Sequence, residues 1–319
     1  MSIRVIDKPT IAELIENAPP AKLIHDLEDA FTHYSSGKAV VPPVGTLSFT
    51  KPPGDVHIKY GYIKGEEHYV IKIASGFYDN PALGLSSSNG LNLVFDQKNG
   101  LLEAILLDEG LLTDVRTALA GAIAVKYLSH QVNCIGIMGT GIQAHLQLKY
   151  ISAITSCLKS MVWGRTAENC KKYSKDLTNE GFHVSIAEKP EQLLAHCDLV
   201  VTTTSAEQAI LPAGEFLPDA LIVAIGADTI GKQELDEDIL TRSALIVMDS
   251  ASQCREHGEI HKAHQKGKLN DIPMLELGQI IPDKSFVRPS GLVVVDLTGI
   301  ATQDMLISKF ILESLDTHG

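Results

Sequence analysis

Nowhere in its 319 residues does the chain hold an apolar run near the roughly 20 residues that a membrane-spanning helix needs. Its start, Met1-Ser-Ile-Arg-Val-Ile-Asp7, lacks the basic opening and apolar core of a signal peptide and reads as a short strand, so a cytoplasmic protein is expected. Cysteine is sparse: Cys134, Cys157, Cys170, Cys197 and Cys254 are scattered, with no CxxC pair. That excludes a disulfide framework and a structural zinc site, and the thiols are expected reduced and mostly buried. Basic charge is short as well. Lys plus Arg is 27 against 39 for Asp plus Glu, a net charge of -12. Such a surface repels nucleic acid and anionic membranes, so neither is expected as a partner. A small anionic substrate would need a local basic pocket. Repeats and low-complexity tracts are missing too.

What is present is a globular composition, 45% hydrophobic and 21% charged, long enough for two domains. Thr10 to Tyr34 carries apolar residues at helical spacing. From Gly37 to about Leu107 the pattern turns to strands: His57 to Ile63 and His68 to Ala74 alternate with a period of two across a Gly65-Glu66-Glu67 break, and Leu91–Phe95 pairs with Leu102–Leu107. A helix from about Asp114 to Leu128 follows, and then strands and helices alternate to the end. The fold class is therefore α/β, a Rossmann-type parallel sheet domain at 115–300 plus a smaller α+β domain at 1–114. The last helix, within 301–319, is assigned back to the first domain, which is expected to bind substrate and to dimerise.

The strongest motif is Gly139-Thr140-Gly141-Ile142-Gln143-Ala144, a GxGxxA directly after an apolar strand and before an amphipathic helix. Gly139 permits the tight turn, Gly141 lets backbone approach a pyrophosphate, and Ala144 lets helix and strand pack closely. The diphosphate then rests on the helix N-terminus. A glycine-rich turn without a ligand is the bland alternative. The second strand ends in Gly164-Arg165-Thr166, where an NAD site usually has an acid. Glycine leaves room for a 2′-phosphate that Arg165 can pair with, which favours NADP(H) among the NAD(P) cofactors, unless Arg165 touches only the adenine face. Thr203, Thr204 and Ser205 close the fourth strand, where their hydroxyls either face the cofactor or cap a helix. Gly226 closes the next strand and is counted with them.

For the substrate, Lys72 lies in an apolar strand on the same face as Val70 and Ala74, and Lys59 occupies a similar place in its own strand. Each either snorkels outward or points into a pocket that needs positive charge. Arg116 falls in the first turn of the expected Asp114–Leu128 helix, against the dipole. That asks for an anionic partner: a substrate carboxylate, or Asp108, Glu109 or Asp114. Asp228, just past the strand Leu221–Ile225, is placed to exchange a proton beside a nicotinamide or to cap a helix carrying Gln233 to Asp236. His257, His261 and His264 lack the HExxH order, and no metal is expected.

Together the residues resemble the ornithine cyclodeaminase/μ-crystallin family over nearly the whole chain. The motifs are Val70 to Phe77, Leu112 to Ala118, Gly139 to Ala144, Ile225 to Asp236, Glu256 to Ile260 and Val295 to Asp304. The segments Gly54 to Tyr60 and Asp79 to Leu85 look like a subgroup associated with ectoine breakdown. The resemblance implies homodimers in which the N-terminal sheet forms both the interface and the substrate pocket. It implies hydride transfer at the Cα of a small amino or cyclic imino acid. The activity expected first is conversion of L-ornithine, or a close diamino acid, to a proline-type product plus ammonia. Cyclic ketimine reductase, alanine dehydrogenase and a non-catalytic NADPH-binding protein are the alternatives. By position Lys72 and Arg116 match the carboxylate-binding pair, Asp228 the cyclodeaminase acid/base, and Ser87 a hydroxyl against the substrate. Members often carry an Arg after the proline pair; here Pro43 is followed by Val44, and Lys59 is the candidate replacement.

Overall fold

Period-two alternation builds the first sheet, and a buried apolar face against helices holds it. The computed structural model describes residues 3–77 and 79–318. It divides into two units, Met1–Arg116 with Ile300–Gly319, and Thr117–Gly299.

In the first unit, β1 (Arg4–Asp7) runs into α1 (Lys8–Asn17), whose N-terminus is capped by the Asp7 carboxylate accepting from Thr10 N at 3.1 Å. Pro19 and Pro20 stop that helix and start α2 (Pro20–Ser35), so the helical stretch read from Thr10 to Tyr34 is two helices. Strands β2 (Ala39–Val40), β3 (Gly45–Thr50), β4 (Pro53–Ile63), β5 (His68–Phe77), β6 (Ser88–Asp96) and β7 (Leu102–Leu107) follow. The sheet order is β1-β7-β6-β5-β4-β2, with β3 also on β4; among the described residues β1/β7 is its one parallel pair. Helix α3 (Leu111–Leu128) comes next. The last helix, α11 (Ala301–His318), belongs to this unit, packing on α2 and across β4, β5 and β6. It covers the face that holds Ile63, Val70 and Val94, all buried.

The second unit is a parallel α/β sheet. Its elements are β8 (Ile135–Met138), α4 (Ile142–Thr155), β9 (Lys159–Trp163), α5 (Ala167–Asn179), β10 (His183–Ile186), α6 (Glu191–His196), β11 (Leu199–Thr202), β12 (Leu221–Ala224), α7 (Glu237–Thr241), β13 (Leu245–Met248), α8 (Ala251–His257), α9 (His261–Gln265), β14 (Met274–Glu276), α10 (Leu277–Ile280) and β15 (Val293–Asp296). The strand order is β10-β9-β8-β11-β12-β15-β13-β14. Strands β8, β11, β12, β13 and β15 are buried along their whole length, as a sheet covered on both faces requires. The order reverses between β8 and β11, and ligands of such sheets bind at the carboxyl ends of the strands at that point.

Candidate active site

The turn after β8 stands at this switch point. Gly139 has φ 124°, a conformation that L side chains rarely adopt, and a Cβ there would run into the Thr203 hydroxyl. Gly141 is the N-cap of the 14-residue α4, with no side chain capping it and open space where a Cβ would stand. The start of α4 thus has neither a side-chain cap nor a Cβ at Gly141 to crowd a diphosphate. Ala144 is fully buried under the helix. Thr140 and Gln143 are partly buried, and Ile142 is 62% exposed.

Gly164 does not leave open room. A Cβ there would stand 2.9 Å from Thr140 Cγ2 and 3.1 Å from Cys170 Sγ, so its bareness lets the end of β9 pack on the glycine turn. Arg165 is exposed, and Thr166 is the N-cap of the 13-residue α5 without a side-chain cap bond. Both therefore stand where a phosphate could be received. At the end of β11, Thr203 Oγ1 donates to Met138 O at 3.1 Å and Thr204 N donates to Glu234 Oε1 at 2.6 Å, while Ser205 is exposed. Gly226 N donates to Glu234 Oε2 at 2.8 Å.

Asp228 lies past β12 with its side chain 50% exposed, 2.6 Å from Lys232 Nζ. Residues 225–236 form no helix; the next one, α7, is capped by Asp236. Asp228 is therefore not the helix cap offered as its alternative. The histidines part as well: His257 closes α8, Gly258 ends it, and His261 opens α9, so the two do not share a helix face. Among the described residues no group of three or more His, Cys, Asp or Glu could hold a metal ion.

The first unit gathers the cations. Lys72 and Arg116 are 3% and 6% exposed, so neither snorkels to solvent. Lys72 Nζ lies 3.1 Å, and Arg116 Nε 3.3 Å, from the same atom, Asp304 Oδ1. Arg116 also donates to Gln303 Oε1 at 2.8 Å. Asp304 stands in the first turn of α11, where the helix dipole favours an acid. Lys59 pairs directly across from Lys72 in the β4/β5 ladder, and Asn92 of β6 flanks Lys72 on the other side. Like charges directly opposite each other repel. Burial is the main force driving the Lys72 ammonium from 10.5 to about 7; Asp304 opposes the shift, and Arg116 and Lys59 add to it. Burial likewise raises the Asp108 carboxyl, against a backbone hydrogen bond from Leu112.

Two sequence expectations change here. Helix α3 begins at Leu111 rather than near Asp114: Leu112 N donates to Asp108 Oδ2 at 2.8 Å, and Glu109 and Gly110 turn through positive φ. Arg116 is therefore past the first turn, and the dipole does not explain it; its partner is Asp304, which sequence reasoning missed. The signal available was an acid in the first turn of the last helix, directly before the apolar run Met305-Leu306-Ile307. Ser87 is not brought to this group. It precedes β6, whose Ser88 pairs with Gly76, four ladder positions (about 13 Å) from the Lys72–Asn92 pair. Also missed was a buried acidic network in the second unit: Glu234, Glu259, Asp249 and Asp296.

The sequence matches the model of the ornithine cyclodeaminase/mu-crystallin family over residues 10–319. The chain belongs to this family. An uncharacterized cyclodeaminase of Sinorhizobium fredii is 37% identical over 287 residues, 88% of this chain and 87% of that one. The alanine dehydrogenase of Archaeoglobus fulgidus is 31% identical over 292 residues, 90% of this chain and 88% of that one. Among solved structures, an archaeal alanine dehydrogenase dimer with bound NAD matches with a TM-score of 0.89 at 27% identity, covering 100% of this chain and 98% of that one. Other matches are named ketimine reductase mu-crystallin, delta(1)-pyrroline-2-carboxylate reductase and lysine cyclodeaminase. The chain is thus an enzyme of a family that holds cyclodeaminases, cyclic-imine reductases and amino-acid dehydrogenases. No helix among its described residues is long and apolar enough to cross a membrane.

Proposed function

We propose that the protein is a nicotinamide-dependent enzyme that interconverts a small α-amino acid and its imino acid at the Cα–N bond. The observation that carries this is the buried set of cations in the first unit, where Lys72 and Arg116 share a single carboxylate oxygen. Asp304 alone does not balance these cations, and burial raises the nearby Asp108 carboxyl toward its neutral form, so a substrate carboxylate supplies the difference. Lys59, in register with Lys72, adds a third cation to the row. The glycine turn and the bare N-terminus of α4 fit the diphosphate of a dinucleotide; Thr203 to Ser205 and Gly226 would flank its nicotinamide half, and Arg165 with Thr166 would take a 2′-phosphate. A bound nicotinamide supplies the two-electron chemistry. The chain's own residues hold the carboxylate and fix the orientation of Cα. We assign NADP(H) over NAD(H) because no acid follows β9 and the exposed Arg165 does; Gly164 itself serves the packing on the glycine turn.

The test is an absorbance screen at the nicotinamide band that crosses ornithine, diaminobutyrate, alanine, proline and pyrroline-2-carboxylate with both cofactors. One or more of these pairs should change the cofactor's absorbance; none doing so would sink the assignment and favour a cofactor-binding protein without catalysis. A second reading, a cyclodeaminase acting on ornithine or a close diamino acid, is favoured by Asp228 with Lys232 just past β12. Asp228→Asn should then abolish ammonia release from ornithine while sparing imine reduction.

The outer face of the first sheet carries Leu47, Phe49, Tyr60 and Tyr62, each more than a third exposed, opposite the face covered by α11. A second copy of the chain is its proposed partner. Light scattering of Tyr60→Lys should then show monomers where wild type shows dimers.

A further inference from the structure

The second unit buries a carboxylate that no part of the proposed reaction uses. Glu234 is fully buried. Its Oε2 accepts from Thr202 Oγ1 at 2.6 Å and from Gly226 N at 2.8 Å, and its Oε1 accepts from Thr204 N at 2.6 Å. One side chain thus ties the end of β11 to the end of β12. Gly226 lies so close that a Cβ on it would meet Thr204 O and the Glu234 carboxylate. The Glu234 backbone is itself held, because Glu259 Oε1 accepts from Glu234 N at 2.6 Å and Glu259 Oε2 accepts from Leu235 N at 3.0 Å. Ile210 N and Leu211 N both donate to Glu234 O at 2.9 Å. Burial raises the Glu234 carboxyl, and the hydroxyl and backbone donors pull the other way. The bonds from Thr202 Oγ1, Thr204 N and Gly226 N all arrive at its side chain from donors, which is the pattern of an ionised acceptor.

A charge buried this deeply and satisfied only by N–H and O–H donors is expensive for a surface clip. Its place gives it a use. β11 is next to β8 at the switch point, and Thr203 touches the turn through Gly139, so the backbone from Thr202 to Thr204 forms the wall beside the diphosphate. Gly226 continues that wall at the next strand. We propose that Glu234 is a positioning residue for the nicotinamide half of the cofactor site, acting through Thr204 and Gly226. The proposal rests on the cofactor assignment above. The adenosine half lies toward β9, where Glu234 makes no hydrogen bond, so its loss should spare that half.

The test is calorimetric titration of the full-length protein with NAD+ or NADP+, whichever wild type binds more tightly, and with ADP-ribose or its 2′-phosphate, which lack the nicotinamide. Glu234→Gln turns an acceptor into a donor facing N–H groups. It should weaken the full cofactor about tenfold and leave the ADP-ribose form within about twofold. Thr202→Val should weaken the full cofactor about threefold, and Thr202→Ser, which keeps the donor, should restore it. The Thr202 pair carries the test if Glu234→Gln does not fold. Unchanged cofactor affinity in Glu234→Gln and Thr202→Val, or a parallel loss of both ligands, would overturn the proposal. Wild-type protein that binds neither ligand would overturn the cofactor assignment itself, an outcome distinct from wild type that binds both while the variants match it.

Discussion

In the proposed site the first unit would meet an anion with side-chain charge, the second with bare backbone. Lys72 and Arg116 are nearly sealed from solvent, and Asp304 lies against both as their shared counter-ion. Among the described residues no buried cation stands at the glycine turn: in the proposed site Gly141 and the first N–H groups of α4 would receive the phosphates, and the residue at the helix start has no side chain to offer. The difference concerns what must be held in place. A buried ammonium or guanidinium needs a fixed counter-ion before any ligand arrives. A helix terminus needs only the absence of side chains, because its partial charges are built into the peptide dipoles. The first arrangement is therefore costly to disturb, and the second is easy to block without disturbing the fold.

The largest effect should come from Asp304. In Asp304→Asn, Lys72 can shed its proton, but Arg116 cannot, and it is left as a buried charge without an anion. The expected loss is about 3–5 kcal/mol of stability, read from chemical denaturation. A loss below about 1 kcal/mol would mean that the cations rest on other partners, and would break the contrast at its root.

Lys72→Met should follow. Arg116 keeps Asp304, so the fold survives, but a substrate carboxylate loses one of its cations, and kcat/KM should fall about 100-fold. Lys72 also carries a pH signature. Its pKa is about 7 in the folded protein against 10.5 ordinarily. Between those values the unfolded chain binds more protons than the folded one, so this contribution to stability rises with pH across that window and is at its least favourable below about pH 7. A bound carboxylate acts in the opposite sense and draws the proton back. Affinity for an oxo acid such as pyruvate should therefore fall as pH rises from about 7, with proton uptake on binding. Calorimetry in two buffers of different ionisation heat reads that uptake, and Lys72→Met should abolish it.

Gly141→Ala tests the other half. Its added Cβ meets nothing within 4 Å, so the melting temperature should hold while cofactor binding weakens about tenfold by crowding the phosphate. Gly139→Ala is the contrasting variant: its Cβ meets Thr203 Oγ1 and its φ is 124°, so it should lose stability along with binding. Equal stability loss in both would show that the turn is structural throughout.

How much of this could be read from residues alone follows from the range of the forces involved. The parallel sheet and the glycine turn were legible because strand, turn and helix are contiguous, and each leaves a local pattern. Lys72 stood out because strand alternation puts it on the Val70 face, which is buried. Arg116 was singled out for a reason the structure does not support, since Asp108, Glu109 and Gly110 start α3 earlier than the apolar period implies. Asp304 and Glu234 stayed silent because their partners are distant in sequence; nothing near Asp304 shows that it will meet β5 and α3. Asp228 and Lys232 are four apart yet pair without a helix between them, a loop conformation that spacing does not encode.

Arg165 mixes the two strategies, and so should give the smallest effect. It is a side-chain cation placed at the backbone end of the second unit, and it is exposed. Water screens such a charge, and an ion pair there gains little beyond the geometry of a bidentate contact. Arg165→Ala should leave folding unchanged and lower the preference for NADP+ over NAD+ by about fivefold, measured as the ratio of dissociation constants. Salt then separates the two regions directly. Raising ionic strength shortens the reach of exposed charges and leaves buried pairs nearly untouched. The wild-type NADP+ preference should shrink with added salt and that of Arg165→Ala should not, while oxo-acid affinity at Lys72 and Arg116 stays almost constant. If oxo-acid affinity fell with salt as steeply as the NADP+ preference, the cations of the first unit would be behaving as solvated groups, and the distinction between a charge held by Asp304 and a charge left in water would be gone.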